Sequence, residues 1–382
     1  MPNMNDYLVW RGDLTFRQSG FNEVDSALLV FVSFLNLEGI IPEAVGGEGV
    51  AFSDAIGIYF DRRNDVKKSY GAIIPGEDIR KMVTLMAKSR RFRDAKLSGY
   101  INRLDYEEQE QFAAFTAELN DGTVFVAFKG TDDTLVGWKE DLNMASSDEV
   151  PCQKSSVLYL NRAGKAYDSS NLRVGGHSKG GNLAVYASAK CDASVKKRIA
   201  RVYNNDGPGF SGEFLRSAEY LEIRDRVLKL VPQESVVGML LTNDDNFSVI
   251  SSEKSGVTQH NCYLWQVRGR HFVRRSGLTR QASELSRAVN AWIEDKDMAT
   301  RRAITDAIYD ILTVDNAHTL TDFASDRLLL WRSLAKIEPE KRELVFREMR
   351  KLLGYLVRSG IAQFPRRPDT KNDKNLSGKE EK

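Results

Sequence analysis

The segment that most constrains the fold of this chain is Val174-Gly175-Gly176-His177-Ser178-Lys179-Gly180-Gly181, in which one serine lies between closely spaced glycines. The apolar residues before it predict a short strand, and the run rich in leucine and alanine after it predicts a helix. Gly176 and Gly180 flank Ser178 at two residues' distance, where a tight turn leaves no room for Cβ atoms. The pattern is typical of a nucleophile elbow, which exposes a strained serine at a helix N-terminus. A structural turn whose serine caps the helix is the alternative.

Composition limits the class of protein. The chain has 382 residues, 42% of them hydrophobic, so it can bury a sizeable core as one large α/β domain with additions or as two domains. We favour one catalytic domain with helical extensions. Lysine and arginine total 55 against 53 acidic residues, and this balance gives no reason to expect a nucleic-acid partner.

The cysteines and the N-terminus bear on the compartment. Cys152, Cys191 and Cys262 are far apart and lack C-x-x-C spacing, which argues against a disulfide framework and against a zinc site. Residues Met1 to Asp13 show no basic stretch followed by an apolar run, so no secretory signal is recognisable. We therefore expect a cytoplasmic protein.

The longest apolar run, Ala27 to Leu35, is far shorter than the roughly 20 residues that a membrane-spanning helix needs. It predicts a buried helix capped near Asn22 or Asp25. The alternative is a mobile lid or interfacial helix that makes transient contact with a membrane surface.

From Phe112 onward, strands alternate with helices. Phe112 to Leu119 and Thr123 to Phe128 predict a hairpin around the Asp121-Gly122 turn. Further strands are predicted at Leu172–Gly175, Ile199–Asn204, Val227–Val231 and Phe247–Ser251, and helices at Ser156–Tyr167 and Gly180–Lys190. Such alternation predicts a mainly parallel sheet flanked by helices.

We divide the chain into four regions. Residues 1–110 are an N-terminal helical extension that contributes to the core, residues 111–277 are the α/β core, and residues 278–364 are a C-terminal helical region. Residues 365–382 are predicted to be disordered, because they have almost nothing to bury. Helical stripes recur in the third region at Leu285–Ile293, Ile304–Leu312 and Val345–Leu356, and we interpret them as core packing.

A serine nucleophile needs a base, and the usual base is a histidine held by a carboxylate. Of the four histidines, His260 lies in a polar loop after the last predicted core strand, which is the place of the base in an α/β-hydrolase. His177 adjoins the serine and is predicted to be a packing or turn residue. His271 lies in a possible strand, and His318 lies beyond the expected catalytic loops.

Two carboxylates compete for the role of the acid. Glu234 follows the second strand after the elbow, where the acid normally stands, and it is our first choice. Asp206 is the runner-up because it ends the strand beside the serine. Either residue has a structural alternative, since Glu234 can stabilise a helix N-terminus and Asp206 can form a turn before Gly207.

The tetrahedral intermediate of such a reaction needs two hydrogen-bond donors for its oxyanion. One is the backbone N–H that follows the serine, here Lys179, and the other comes from a loop after an earlier strand. Thr131, in Lys129-Gly130-Thr131-Asp132, is our candidate. Alternatively, Thr131 and Asp132 only cap the helix predicted at Val136–Leu142.

These blocks resemble the class 3 lipases over roughly residues 112–263. Phe128-Lys129-Gly130-Thr131 with Trp138 and Asp141 is similar to F-R-G-T followed by W-x-x-D, the elbow is similar to G-H-S-L-G-G, and Gln233–Val237 stands where that family has N-D-P-V-P. The whole chain resembles still more a bacterial lipase-like, Mbeg-like family, with G-T-D-D…G-W-K-E-D and D-G-P-G-F at Asp206–Phe210. Lysine at 129 and at 179 and glutamate as the acid depart from the lipase pattern, and the two lysines leave the substrate class open.

The resemblance implies an α/β-hydrolase that cleaves acyl esters through an acyl-enzyme, without cofactor or metal. Ser178 is then the nucleophile, His260 the base, Glu234 the acid, and Thr131 with Lys179 the oxyanion hole. A small-molecule or lipid ester is the expected partner. A non-catalytic hydrolase relative that binds or regulates is the alternative function.

Overall fold

The computed structural model describes residues 2–62, 76–314, 317–319 and 329–358. Its strands are β1 Val50–Ala51, β2 Lys96–Asp105, β3 Glu110–Glu118, β4 Val124–Phe128, β5 Leu172–His177, β6 Ile199–Asn205, β7 Val227–Pro232, β8 Phe247–Ile250, β9 Val267–Arg268 and β10 His271–Phe272. Its helices are α1 Met4–Arg11, α2 Glu23–Val32, α3 Phe52–Arg62, α4 Gly76–Lys88, α5 Leu135–Asn143, α6 Pro151–Ala166, α7 Lys179–Lys190, α8 Ala193–Lys196, α9 Gly212–Arg216, α10 Ala218–Ile223, α11 Arg280–Glu294, α12 Met298–Thr313, α13 Leu329–Lys336 and α14 Pro339–Arg358.

Eight strands form one sheet in the order β1 to β8. The first four pair in antiparallel fashion, and β4 to β8 pair in parallel, so the carboxyl ends of these five strands meet at one edge. In open α/β sheets this edge is where ligands bind. The predicted α/β-hydrolase fold is confirmed, with the elbow between β5 and α7.

The strands and helices predicted from Phe112 to Ser251 are all present, with ends that differ by a few residues. Two strands that precede residue 111, β1 and β2, were not predicted and extend the same sheet. The sequence of β2 is only half apolar, and its second half is largely exposed, so it lacks a clear period. The predicted disordered tail, residues 365–382, lies outside the described residues.

The first long apolar run forms α2, which packs under the sheet. Asn22 caps this helix and Asp25 completes the capping box, as expected from the sequence. Every residue of α2 is buried, so the interfacial alternative for this helix is wrong. Asp25 also forms a fully buried ion pair with Arg91 at 2.6 Å, which ties α2 to the segment that leads into β2.

The C-terminal helices pack beside the carboxyl edge of the sheet. The Lys139 ammonium of α5 contacts the carboxylate of Asp306 on α12, and the Leu135 N–H donates to the His318 carbonyl at 2.9 Å. Within the described ranges, no helix combines the length and the apolar character that crossing a bilayer requires.

Candidate active site

Ser178 has the strained backbone that the elbow requires. Its φ of 57° and ψ of −132° lie outside the regions that non-glycine residues ordinarily adopt. The hydroxyl does not cap α7, so the capping alternative is wrong. Ser178 is half-buried at the N-terminus of this helix, where the helix dipole favours negative charge.

The neighbouring glycines are required by close backbone approach. A Cβ placed on Gly176 would lie 2.0 Å from the Gly180 carbonyl oxygen, and one placed on Gly180 would lie 2.2 Å from the Phe128 oxygen. A Cβ on Gly130 would lie 2.5 Å from the His177 oxygen. Because no side chain intervenes, the end of β4 packs directly against the elbow.

The structure pairs His260 with Asp206 and not with Glu234, our first choice for the acid. The Nδ1 atom of His260 lies 2.7 Å from Asp206 Oδ2, with the Asp206 side chain fully buried and that of His260 only 14% exposed. The other oxygen of Asp206 accepts a hydrogen bond from the Ser235 hydroxyl at 2.5 Å. Asp206 directly follows β6, which pairs with the serine strand β5, so the runner-up of the two carboxylates is the one that contacts the histidine.

Glu234 instead supports the short 3-10 helix Gly256–His260 that carries the histidine. Its carboxylate accepts the Gly256 N–H, and its own N–H donates to the Gln259 side chain at 3.0 Å. Both contacts join Glu234 to this helix, and among the described residues no hydrogen bond joins its carboxylate to the His260 ring. The residue therefore holds the loop in place from outside the site.

His177 is a packing residue, as predicted. Its ring lies over that of His260, with centroids 4.5 Å apart, and its Nε2 lies 2.7 Å from the His260 carbonyl oxygen. Burial lowers the pKa of His177 to about 3, so the ring is neutral and donates through Nε2. His177 thereby positions the backbone of His260.

In the part of the chain that the structure describes, no hydrogen bond joins the Ser178 hydroxyl to His260. Such contacts are often long in free enzymes and tighten when the substrate binds. The described residues thus contain the elbow and the histidine–aspartate pair, but no hydrogen bond joins the serine to the histidine.

The loop after β4 brings Thr131 to the elbow. Helix α5 is capped by Thr134, so Thr131 and Asp132 are not its N-cap. The Thr131 hydroxyl instead donates to Asp141 Oδ2 at 2.6 Å. Burial raises the pKa of Asp141 to about 6, against the opposing effects of the Lys179 ammonium and of the Thr131 hydrogen bond. Its second oxygen, Oδ1, is buried, and none of the residues that the structure describes forms a hydrogen bond with it.

The Lys179 side chain does not enter the site. Its ammonium is buried and lies 2.7 Å from Glu140 Oε2 and 2.7 Å from the Gln111 carbonyl oxygen. Burial works to lower the pKa of Lys179, but the Glu140 carboxylate and its neighbours raise it above the ordinary value. The Lys179 ammonium is therefore bound within the protein and is not presented at the elbow.

Sequence reasoning missed the supporting residues Glu140 and Asp141. Both belong to the G-W-K-E-D block, and their position at the end of that block was the available signal. A buried charge needs a partner, so the lysine inside an otherwise small-residue elbow was a second signal that a carboxylate lies nearby.

Comparisons with known proteins give one family match and several structural neighbours. The family model described as Mbeg1-like matches residues 86–310. No curated protein matches the chain. Rhizomucor miehei lipase in its propeptide complex is 17% identical with a TM-score of 0.32. The match covers 50% of this chain and 63% of the lipase chain.

Two further structures are similarly distant. Lipase II from Rhizopus niveus is 15% identical with a TM-score of 0.33, covering 58% of this chain and 82% of its own. The M37 lipase is 11% identical with a TM-score of 0.35, covering 85% and 99%. Similarities this low carry no information about activity.

Proposed function

The chain belongs to the Mbeg1-like family, whose model covers more than half of it, and we propose that it is a serine hydrolase that cleaves acyl esters. The observation that carries the proposal is the combination of a strained Ser178 at a helix N-terminus with a histidine held by a buried aspartate. The order of the residues along the chain, serine, aspartate and histidine, is that of an α/β-hydrolase.

In the proposed reaction, Ser178 Oγ attacks the ester carbonyl while His260 Nε2 takes the hydroxyl proton. Asp206 accepts a hydrogen bond from His260 Nδ1, which leaves Nε2 unprotonated for this role and stabilises the imidazolium that forms. The proton then passes from Nε2 to the leaving alcohol as the carbonyl–oxygen bond breaks. Water releases the acyl group by the same steps in the second half of the reaction.

The oxyanion that develops on the carbonyl oxygen needs donors aimed at it. We assign the Lys179 backbone N–H and the backbone N–H of Thr131 to this role. The close packing of Gly130 on the elbow supports the assignment, since it brings the two chain segments together. The Thr131 hydroxyl is occupied by Asp141, which holds the loop in position.

Because no hydrogen bond joins Ser178 to His260 in the described residues, a second function is considered: a hydrolase-fold protein that binds ligands without catalysis. Hydrolysis of p-nitrophenyl butyrate distinguishes the two. We expect turnover by the wild type and its loss in Ser178→Ala. Ser188→Ala is the matched control, because Ser188 lies on the same helix and its hydroxyl only donates to the Ala184 carbonyl. Equal rates in wild type and Ser178→Ala would support the rival.

A further inference from the structure

A cavity of about 370 Å³ lies beside α7, between the loops that follow β6 and β7 and the C-terminal helices α11 and α12. Its volume falls within the range of ligand sites, which are about 300–1,000 Å³. We call it the α7 cavity. None of the residues assigned to catalysis above lines it.

The walls of the α7 cavity combine apolar and polar side chains, and the apolar ones include large aromatic and aliphatic groups. One wall is a column of three stacked rings, in which Phe210 and Phe214 have centroids 4.4 Å apart and Phe214 and Tyr186 have centroids 5.3 Å apart. Ile293 of α11 and Met298 at the start of α12 also line the cavity. Unbranched thioether and flat aromatic side chains suit a flexible hydrocarbon chain.

Polar side chains in the walls are already engaged with the protein. Asn182 donates to the Gly209 carbonyl at 2.9 Å and accepts a hydrogen bond from Gln153 at 2.9 Å. Arg301 donates to the carbonyls of Ala145, Ile293 and Lys296. These groups therefore shape the cavity and are not available as the main partners of a polar ligand. The exposed carboxylates of Asp148 and Glu294 also line it and disfavour an anionic ligand.

One wall residue is held in a strained conformation. Leu241 has a φ of 62°, in the left-handed region that leucine rarely adopts. Asn290 of α11 maintains it by accepting the Leu241 N–H at 2.9 Å and donating to its carbonyl at 3.1 Å. Strain of this kind is concentrated at ligand sites. The two hydrogen bonds also join the loop after β7 to the C-terminal helix α11.

The α7 cavity also begins close to the nucleophile. Asn182 lies one helical turn after Ser178, about 6 Å along the helix axis. The loop that forms another wall, Gly209 and Phe210, continues directly from the acid Asp206. The wall residue Asn182 is therefore one helical turn from the serine to which the proposed reaction attaches the acyl group.

We propose that the α7 cavity binds the unbranched acyl chain of a neutral ester, and that α11 and α12 form the wall that sets its length. The inference rests on the proposed function, because it places the ester carbonyl at Ser178. An uncharged chain is preferred to a free fatty acid, since the carboxylates of Asp148 and Glu294 outnumber the one guanidinium of the walls, Arg301, which already donates to backbone carbonyls.

Filling the cavity tests the inference. In Ile293→Trp and, separately, Met298→Trp, kcat/KM for p-nitrophenyl octanoate is expected to fall at least about tenfold, while that for p-nitrophenyl acetate changes less than about twofold. Leu221→Trp on α10, an exposed position outside the cavity, is the matched control and should leave both substrates unchanged. Equal changes for both esters, or none, in both filled variants would overturn the inference.

Direct binding separates this inference from the proposed function. Calorimetry should show that octan-1-ol binds to Ser178→Ala, more tightly than octanoate, and that binding weakens when Ile293→Trp or Met298→Trp is added. Cavity-dependent binding without ester hydrolysis by the wild type would contradict the serine hydrolase alone. If the wild type hydrolyses esters but the affinity for octan-1-ol is unchanged by Ile293→Trp and by Met298→Trp, the acyl pocket alone is contradicted.

Discussion

At the scale of single residues, the site depends on where its acid lies. Asp206 directly follows β6 and has a φ of 55°, and its N–H donates to the Leu230 carbonyl at 2.8 Å. Gly238 packs so closely that a Cβ there would lie 2.1 Å from Asp206 Oδ1. The carboxylate is therefore held rigidly, with Ser235 on one oxygen and His260 on the other.

Exchanging each candidate acid for its amide tests this assignment. Asp206→Asn should lower kcat for p-nitrophenyl butyrate by roughly 10⁴-fold, because an amide no longer holds the His260 tautomer and the imidazolium. Glu234→Gln is the matched control and should cost less than about tenfold, since Glu234 only supports the loop. A larger loss in Glu234→Gln than in Asp206→Asn would restore Glu234 as the acid.

Which carboxylate meets His260 was not predictable from order along the chain. Glu234 and Asp206 both follow core strands, and the choice depends on how the loop Gly256–His260 returns over the sheet. Two hydrogen bonds hold this loop: His177 Nε2 donates to the His260 carbonyl, and Trp265 Nε1 donates to the Gln259 carbonyl. Both acceptors are backbone carbonyls, which every residue carries, so no sequence pattern indicates them. The serine and the loop of Thr131 were predicted from local glycine patterns, and His260 was predicted from its place in a polar loop after the last core strand.

At the scale of elements, a buried ion pair joins the elbow helix to α5. Lys179, the first residue of α7, and Glu140 of α5 are both fully buried. The same carboxylate accepts the N–H groups of Gln111 and Cys152. Because Asp141 follows Glu140 and binds Thr131, this pair connects the two segments that we assign to the oxyanion hole.

Removing the ammonium should therefore destabilise the whole fold. Lys179→Met leaves the Glu140 charge buried without its partner, and we expect the free energy of unfolding in urea to fall by about 3–5 kcal/mol. Lys190→Met at the other end of α7 removes a half-exposed pair with Glu219 and should cost less than about 1 kcal/mol. Comparable losses in the two variants would show that the buried pair is not structurally important.

At the scale of the whole molecule, one buried lysine links stability to pH. Lys229 of β7 donates to the Gly238 carbonyl at 2.7 Å and to the Asn243 side chain. Burial lowers its pKa from 10.5 to about 7, with Asp206 acting in the opposite direction. Between these two pKa values the unfolded chain binds the proton and the folded chain does not, so this group makes stability rise with pH from about 7 to about 10.

This contribution is measurable as a difference between variants. From pH 7 to pH 9.5, the free energy of unfolding of the wild type should rise by a few kcal/mol relative to Lys229→Met, which lacks the titrating group. Lys190→Met should keep the wild-type slope. Parallel slopes in wild type and Lys229→Met would mean that Lys229 stays charged in the folded protein.

The general architecture could be predicted from sequence because β4 to β8 are short apolar runs and α7 follows a glycine turn. The strands β1 and β2 could not, since the first has two residues and the second is held by pairing with β3 and not by its own apolar pattern. The position of the C-terminal helices beside the sheet edge depends on contacts such as that of Lys139 with Asp306, which no local pattern indicates.

The central claim is that Ser178 is an activated nucleophile. Its most direct test is labelling of the wild-type protein with a fluorophosphonate, followed by peptide mapping by mass spectrometry. We predict one adduct on the peptide that contains Ser178, absent from Ser178→Ala and strongly reduced in Asp206→Asn. Absence of the adduct from the folded wild type, or labelling that persists in Ser178→Ala, would contradict the account.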